Sequence, residues 1–265
     1  MLGRERMWPP VKLLDPKLPA WCIELDDEHP TSRLDNNWYS PAARLAETEL
    51  ERAARGGRFS IKTIEEICEP GGIETGGSPE EDGEIGIIEG RNLRPNYVIP
   101  IFMKFASEAT DLIPNDLVVG KDGEPGTVAI ITEALLEYCG SIAIGGHVYR
   151  LRLSEQYRIV APFISAFLNS RIGQAILRKR IAGGTTPTIR KADIQTVEVL
   201  IPTDFKCPGG IANAVYETQK RVLESMDNLG PSKNIDALTG MKDIGARLPV
   251  NWAGGGAARS SRIIS

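Results

Sequence analysis

Three polar groupings in this 265-residue chain sit on turns that glycine shapes: Arg91-Asn92 directly after Gly90, Lys121 in the loop GKDGEPG, and Thr185-Thr186 directly after Gly183-Gly184, with Arg190 and Lys191 following. The chemistry open to such groups is hydrogen bonding to nucleic acid. Arg or Lys matches the two acceptors of guanine, and Asn matches the donor and acceptor of adenine, provided the side chain stands on a rigid support. Threonine hydroxyls, the amides of Gly183-Gly184 and the adjacent cations would hold phosphates without reading sequence. Arg171 and Arg178 lie seven apart, hence on one exposed helical face, which Lys179-Arg180 extend. The competing reading of the Gly-Thr-Pro segment is a plain joint between a helix and a strand, its threonines capping the next turn.

Other chemistries find fewer residues. A metal-dependent nuclease needs an Asp near an acid-x-Lys pair; Asp204-Phe205-Lys206 with Asp193 upstream has that form, and so does Asp15-Pro16-Lys17. Composition alone yields about two such tripeptides, so the match has little weight. The chain has neither the Gly-rich donor loop and Asn/Asp-Pro-Pro-aromatic string of an adenine methyltransferase nor a G-x-x-x-x-G-K-[ST] phosphate loop. Cys22, Cys68, Cys139 and Cys207 show no C-x-x-C spacing, and the two histidines, His29 and His147, stand far apart. Neither a zinc ribbon nor a Ser-His-Asp arrangement is indicated, and no metal or catalytic residue is expected.

The elements that would position these groups follow from periodicity. Residues 1–40, rich in Pro and charge with Trp8, Trp21 and Trp38, read as an extended arm. Ser40-Pro41 opens a helix with Ala43, Ala46, Leu50, Ala53 and Ala54 on one stripe, closed by Gly56-Gly57. From Phe59 short apolar runs read as strands, among them a hairpin from Asp116–Val119 to Thr127–Ile131 and an alternating strand from His147 to Leu153. Pro162 opens a second helix that runs to Gly183-Gly184, and a third spans about 210–229 with Ile211, Val215, Val222, Met226 and Leu229 as its seam.

Charge is unevenly distributed. The net value of −4 argues against bulk coating of nucleic acid. Residues 65–89 nevertheless carry nine Asp and Glu with no Lys or Arg, and residues 150–191 carry nine Lys and Arg against Glu155 alone. Two solvated faces of opposite sign are the plain explanation. No apolar run nears the roughly 18 residues of a membrane span, and the first residues lack a signal peptide's pattern, so a cytoplasmic location is expected.

The most specific stretch is YRIVAPFISAFLNSRIGQAILRKRIAGGTTPTIRKADIQTVEVLIP, residues 157–202. Its order of helix, Gly-Thr-Pro loop, short helix near Ala192 to Gln195 and apolar strand ending in Pro resembles the end of a target-recognition domain in the specificity subunits of type I restriction-modification enzymes. IGIIEGRNLRPNYVI followed by LIPNDLVVGKDGEPGTVAII is similar to that family's Gly-Arg-Asn turn and Gly-rich hairpin, and SRLDNNWYSPAARLAE with FSIKTIEEICE to the opening of many such domains. The pieces cover roughly residues 33–202 in the family's order.

The resemblance implies an α+β fold: a mixed or antiparallel β-rich target-recognition domain with flanking helices and a short C-terminal spacer-like helix. The expected organisation is an arm at 1–40, the domain at 41–205, the helix at 206–230 and a disordered tail at 231–265. In that family two such domains, separated by long helices, each read half of a split DNA sequence. Here there is one domain, the third helix is short, and a Gly-rich tail replaces the second half.

The implied function is sequence-specific recognition of double-stranded DNA for a partner adenine methyltransferase, and for a restriction and translocation subunit acting as motor-nuclease. S-adenosylmethionine, ATP and magnesium would belong to those partners, and this chain would supply no chemistry. A homodimer through the third helix would give a palindromic split target. The alternatives are a protein-interaction module that binds the methyltransferase without reading DNA, motivated by the acidic composition, and the nuclease.

Overall fold

The computed structural model describes residues 40–183 and 185–229, with the backbone of 11–12 and 22–23. The rest of the arm, including Trp8, Trp21 and Trp38, and the expected tail at 231–265 lie outside the described residues.

The elements run β1 (Val11–Lys12), β2 (Cys22–Ile23), α1 (Pro41–Arg55), β3 (Phe59–Thr63), α2 (Ile64–Ile67), β4 (Cys68–Thr75), β5 (Ile85–Ile88), β6 (Leu93–Arg94), β7 (Tyr97–Val98) and β8 (Phe105–Ala106). They continue with β9 (Leu117–Gly120), β10 (Val128–Ile130), α3 (Glu133–Cys139), β11 (Ile142–Ile144), β12 (Val148–Leu153), α4 (Glu155–Arg158), α5 (Ala161–Asn169), α6 (Arg171–Arg180), α7 (Lys191–Gln195), β13 (Glu198–Pro202) and α8 (Ile211–Leu229). An antiparallel sheet of order β10-β9-β12-β4 adjoins a mixed one, β11-β5-β8, in which β11 runs parallel to β5. A separate ladder joins β13 to β3, so the strand that follows the Gly-Thr-Pro loop closes back onto the start of the domain. The fold is α+β.

Local sequence explains most of these elements. Ser40 Oγ accepts the Ala43 amide and Pro41 takes the first turn of α1, whose Ala43, Ala46 and Leu50 are buried. Thr63 and Glu66 form a reciprocal capping box at α2. The hairpin of β9 and β10 forms in the expected register, Val119 opposite Val128. In β12 the expected alternation is absent: five of its six residues are buried, because the strand is flanked on both sides and covered on both faces.

The helix expected from Pro162 to Gly183 is two helices. Ser170 takes extended backbone geometry, and its Oγ accepts the Gly173 amide to cap α6. A Cβ on Gly173 would stand 2.1 Å from the Phe167 carbonyl oxygen, so glycine is what lets α6 fold back against the end of α5. All of Ala161 to Leu168 is buried, and Phe163 stacks on Phe59 with centroids 5.7 Å apart. Fully burying a Phe side chain contributes roughly 2–3 kcal/mol before cavity effects, which makes α5 the core's central rod.

The opposed charge of 65–89 and 150–191 has a structural cause. β4 pairs with β12, and across that ladder Glu74 meets Arg150, while Glu69 meets Arg158 just beyond its end. Arg152 lies between Asp111 and Asp116, and hydrogen bonding to Asp116 is the main reason its pKa rises. Part of the basic stretch is therefore neutralised inside the fold.

Of the seam expected on α8, Val215 and Val222 are buried and Ile211 and Met226 are partly buried, while the Leu229 side chain lies outside the described residues. The helix shares the body's core, because fully buried Gln219 donates to the Val98 carbonyl and accepts the Val98 amide, both at 2.9 Å. Among the described residues no helix is long and apolar enough to cross a membrane.

Lys179 departs from the exposed face expected of it. Its side chain is 5% exposed and pairs with Glu47 of α1; burial pushes its pKa down against the opposing pull of that carboxylate. Lys179 stands about 100° around α6 from Arg178, which turns it onto the helix packed beside it. Lys179→Ala should destabilise the fold by about 2–4 kcal/mol in urea unfolding, because it leaves Glu47 without its partner in a shielded site. A loss under about 0.5 kcal/mol, the range of an ordinary surface change, would contradict this placement.

Candidate nucleic-acid interface

The loop joining α6 to α7 is fixed at its base by two hydrogen bonds of 2.9 Å that Ala182 and Thr188 exchange. Gly183 has φ of +95°, and a Cβ there would stand 2.6 Å from the Thr186 carbonyl oxygen, so the tight return needs glycine for both conformation and space. Beyond the loop, buried Ile189 donates its amide to the Lys121 carbonyl at 3.0 Å and accepts the Tyr149 hydroxyl at 3.1 Å. The Gly123 amide donates to Pro187 at 3.3 Å. The Gly-Thr-Pro loop and the hairpin loop after β9 are thus stitched together.

The third grouping arrives from the other sheet. Gly90–Asn92 form one 3-10 turn, followed by the β6–β7 hairpin. The hairpin turns at Pro95-Asn96, where Asn96 has φ of +74° and its Oδ1 accepts from Ser165 and Asn169. This hairpin carries the turn up against the loop after β9, and Gly90 lies beside the Asp122 carbonyl.

The result is one open cleft of about 800 Å³. Arg91, Asp122, Gly123 and Thr186 bring all three groupings to it, and Arg94, Lys104, Glu89, Glu124 and His147 complete its polar lining. Three carboxylates face three permanently charged cations there, so the lining is balanced rather than basic. Glu89 is buried and pairs with Arg91 Nη2 at 3.0 Å and Lys104 Nζ at 2.6 Å. His147 Nδ1 lies 3.2 Å from Asp122 Oδ2. Burial works against the Asp122 carboxylate, but hydrogen bonds from Thr188 and His147 and the charge of Lys121 hold its pKa below the ordinary value.

The other sequence-derived residues fall in different places. Arg91 is half-exposed, whereas Asn92 is buried: its Oδ1 accepts the Glu89 amide and its Nδ2 donates to the Ile99 and Ile101 carbonyls. Asn92 is therefore a brace for the turn and not a group that can meet a base, a correction forced by its occupied hydrogen-bonding capacity. Lys121 is partly buried; its Nζ donates to the Gly146 carbonyl at 3.1 Å and lies over the Tyr149 ring. Thr185 and Thr186 are exposed, and Gly184 lies outside the described residues. Arg190 and Lys191 are exposed at the start of α7, with Arg190 also bonded to Asp193 at 2.8 Å. Arg171 and Arg178 are exposed on α6, flanking the face from which Gln174 donates to the Gly126 carbonyl of the hairpin loop. Lys179, as above, faces inward.

Sequence reading passed over Glu89, Arg94, Lys104 and His147. A signal was present for two of them: an acid directly before the Gly-Arg-Asn turn, and a lone Lys inside the apolar run YVIPIFMKF. Among the described residues, no group of three or more His, Cys, Asp or Glu is placed to hold a metal ion. Asp193 is turned onto Arg190, and Asp204 Oδ1 accepts the Lys206 amide.

No protein-family model and no curated protein matches the chain. Solved structures do. The type I restriction-modification S subunit from M. genitalium matches with a TM-score of 0.43 and 14% identity, over 64% of this chain and 40% of that one. A structure described as bearing on complex assembly and conformational transition of the type I R-M system matches with a TM-score of 0.38 and 16% identity, over 77% and 47% of the two chains. The HsdS subunit from Thermoanaerobacter tengcongensis matches with a TM-score of 0.37 and 16% identity, over 76% and 46%. The chain spans less than half the length of each of these three structures.

Two outcomes test the geometry. Asn92→Ala strands a buried amide and two carbonyls, and should cost about 2–4 kcal/mol by denaturant unfolding; a neutral result would place the side chain in solvent. Asp122 has a lowered folded pKa, so its stabilisation is complete above its unfolded value near about pH 4 and is lost as pH falls through the folded value. The stability gap between wild type and Asp122→Asn should thus be open at neutral pH and closed at about pH 2. A gap of the same size at both would remove the role given to this carboxylate.

Proposed function

We propose that the chain reads double-stranded DNA through this cleft and the exposed loops around it, as a specificity subunit with no chemistry of its own. The observation that carries the reading is the convergence of the Gly-Arg-Asn turn, the Gly-rich hairpin and the Gly-Thr-Pro loop on one open surface, although they are separated by about 30 and 60 residues in sequence. A lining balanced between donors and acceptors suits base edges, which display both kinds of group. It is poorly suited to gripping phosphates. That task falls to cations outside the cleft: Arg190 and Lys191 with the hydroxyls of Thr185 and Thr186, and Arg171 with Arg178 on α6, while Lys121 supports the hairpin loop.

The motif order shared with type I specificity subunits supports a place in a restriction-modification complex. In this reading the DNA-bound chain presents its target to an adenine methyltransferase, and to a restriction and translocation subunit. S-adenosylmethionine, ATP and magnesium are then bound by those partners. Two copies related by two-fold symmetry would read a palindromic split target. The division into an arm at 1–40, a recognition domain at 41–205, a spacer-like helix at 206–230 and a tail at 231–265 belongs to the same proposal, as does a cytoplasmic location.

Duplex binding titrated against salt tests it. Several phosphate contacts predict a steep linear fall of log affinity with log salt. Arg190→Ala and Lys191→Ala should weaken binding to all sequences alike, each reducing the salt slope by about one. Absence of any duplex binding at low salt, with the methyltransferase still captured, would favour the protein-interaction module instead.

A further inference from the structure

Glu89 is the least explained group in the cleft. Its carboxylate, 9% exposed, lies on the floor at the end of β5, and a buried carboxylate without partners would be strongly unfavourable. It has two: Arg91 Nη2 on one oxygen and Lys104 Nζ on the other. The surroundings hold it still. The Glu89 amide donates to Asn92 Oδ1, and a Cβ on Gly145 would come within 3.3 Å of Glu89 Cγ, so the stem packs tightly over that glycine. Lys104 is fixed in turn, because its carbonyl accepts the Ile87 amide at 3.0 Å.

The state of Arg91 follows from counting hydrogens. Nη2 is ion-paired with Glu89 and Nη1 gives one hydrogen to the Met103 sulfur at 3.2 Å, so even if the ion pair takes one hydrogen, each η nitrogen keeps at least one. A free hydrogen on each η nitrogen of a braced, half-exposed guanidinium is the donor set a fork requires, and Lys104 beside it is also a donor alone. Guanine shows two neighbouring acceptors in the major groove, whereas adenine shows an acceptor beside a donor that this wall would oppose.

Resting on the DNA-reading function above, we infer that Glu89 is a positioning residue that sets Arg91, with Lys104, as a donor wall selecting guanine in the target. One carboxylate shared between two cations leaves the wall a net positive charge, and it fixes the fork before DNA arrives. Arg91 is the specificity-determining residue, and Glu89 acts through it.

The test uses the full chain and duplexes selected on it from a random-sequence pool, with each guanine replaced singly by 7-deazaguanine, which lacks the N7 acceptor. In wild type one such replacement should weaken binding about tenfold. Arg91→Lys keeps the charge but lacks the fork, and Glu89→Gln keeps the shape but releases the brace; in both variants that penalty should vanish. Glu89→Asp, which keeps a carboxylate, should restore part of the penalty. The inference is overturned if no guanine matters to wild type or if both variants retain the penalty. It is also overturned if both weaken every duplex equally with a shallower salt slope, the behaviour of a phosphate clamp. In those cases DNA reading itself survives; a pool that yields no bound duplex removes both.

Discussion

The amide of Ile189 donating to the carbonyl of Lys121 ties together two loops from distant parts of the chain, and the cleft exists because of that tie. Ile189 is fully buried, so its amide and carbonyl need partners inside the protein. Lys121 supplies one and the Tyr149 hydroxyl the other. Separating the loops would orphan both groups. The exchange between Ala182 and Thr188 pins the base of the loop, in which Thr185 and Thr186 are exposed. A rigid backbone joint is what allows polar side chains on loops to be aimed with the accuracy that recognition requires.

A second constraint is electrostatic. The chain concentrates acids in 65–89 and bases in 150–191, and folding brings parts of these stretches together across β4 and β12. Arg150, Arg152, Arg158 and Lys179 all end in ion pairs within the fold. The basic count of the sequence therefore overstates the charge available to a polyanion. Arg171, Arg178 and Lys191 are exposed and form no part of the cleft's balanced lining. In the proposed function such a division would separate positioning of a duplex from reading it, since phosphate contacts need charge and base contacts need an exact pattern of donors and acceptors.

Much was legible in the residues themselves. Ser40-Pro41 marks the start of α1 because capping is satisfied within a few residues, and the hairpin of β9 and β10 is marked by its glycines, because a tight turn is a local backbone requirement. The apolar seam of α8 is visible for the same reason: helical period is a property of neighbouring residues. The three glycine-shaped groupings could be singled out as chemically apt, and of their side chains those of Arg91, Thr185 and Thr186 are exposed.

Tertiary structure alone decided which polar groups were spent inside. Asn92 and Arg91 are adjacent and equally suited to a base edge, yet one is enclosed by three hydrogen bonds to backbone groups and the other stands half in solvent, because the turn can present only one of them outward. Lys179 and Arg178 differ in the same way, through a 100° rotation against a neighbouring helix. The break at Ser170 separated α5 from α6 because Gly173 permits a backbone contact that helical periodicity does not register. Glu89 and Lys104 remained hidden because their pairing joins residues 15 positions apart that the pairing of β5 with β8 brings together. Sequence determines what a short segment can form, whereas the burial and partnership of each polar side chain depend on which distant segments the fold lays beside it.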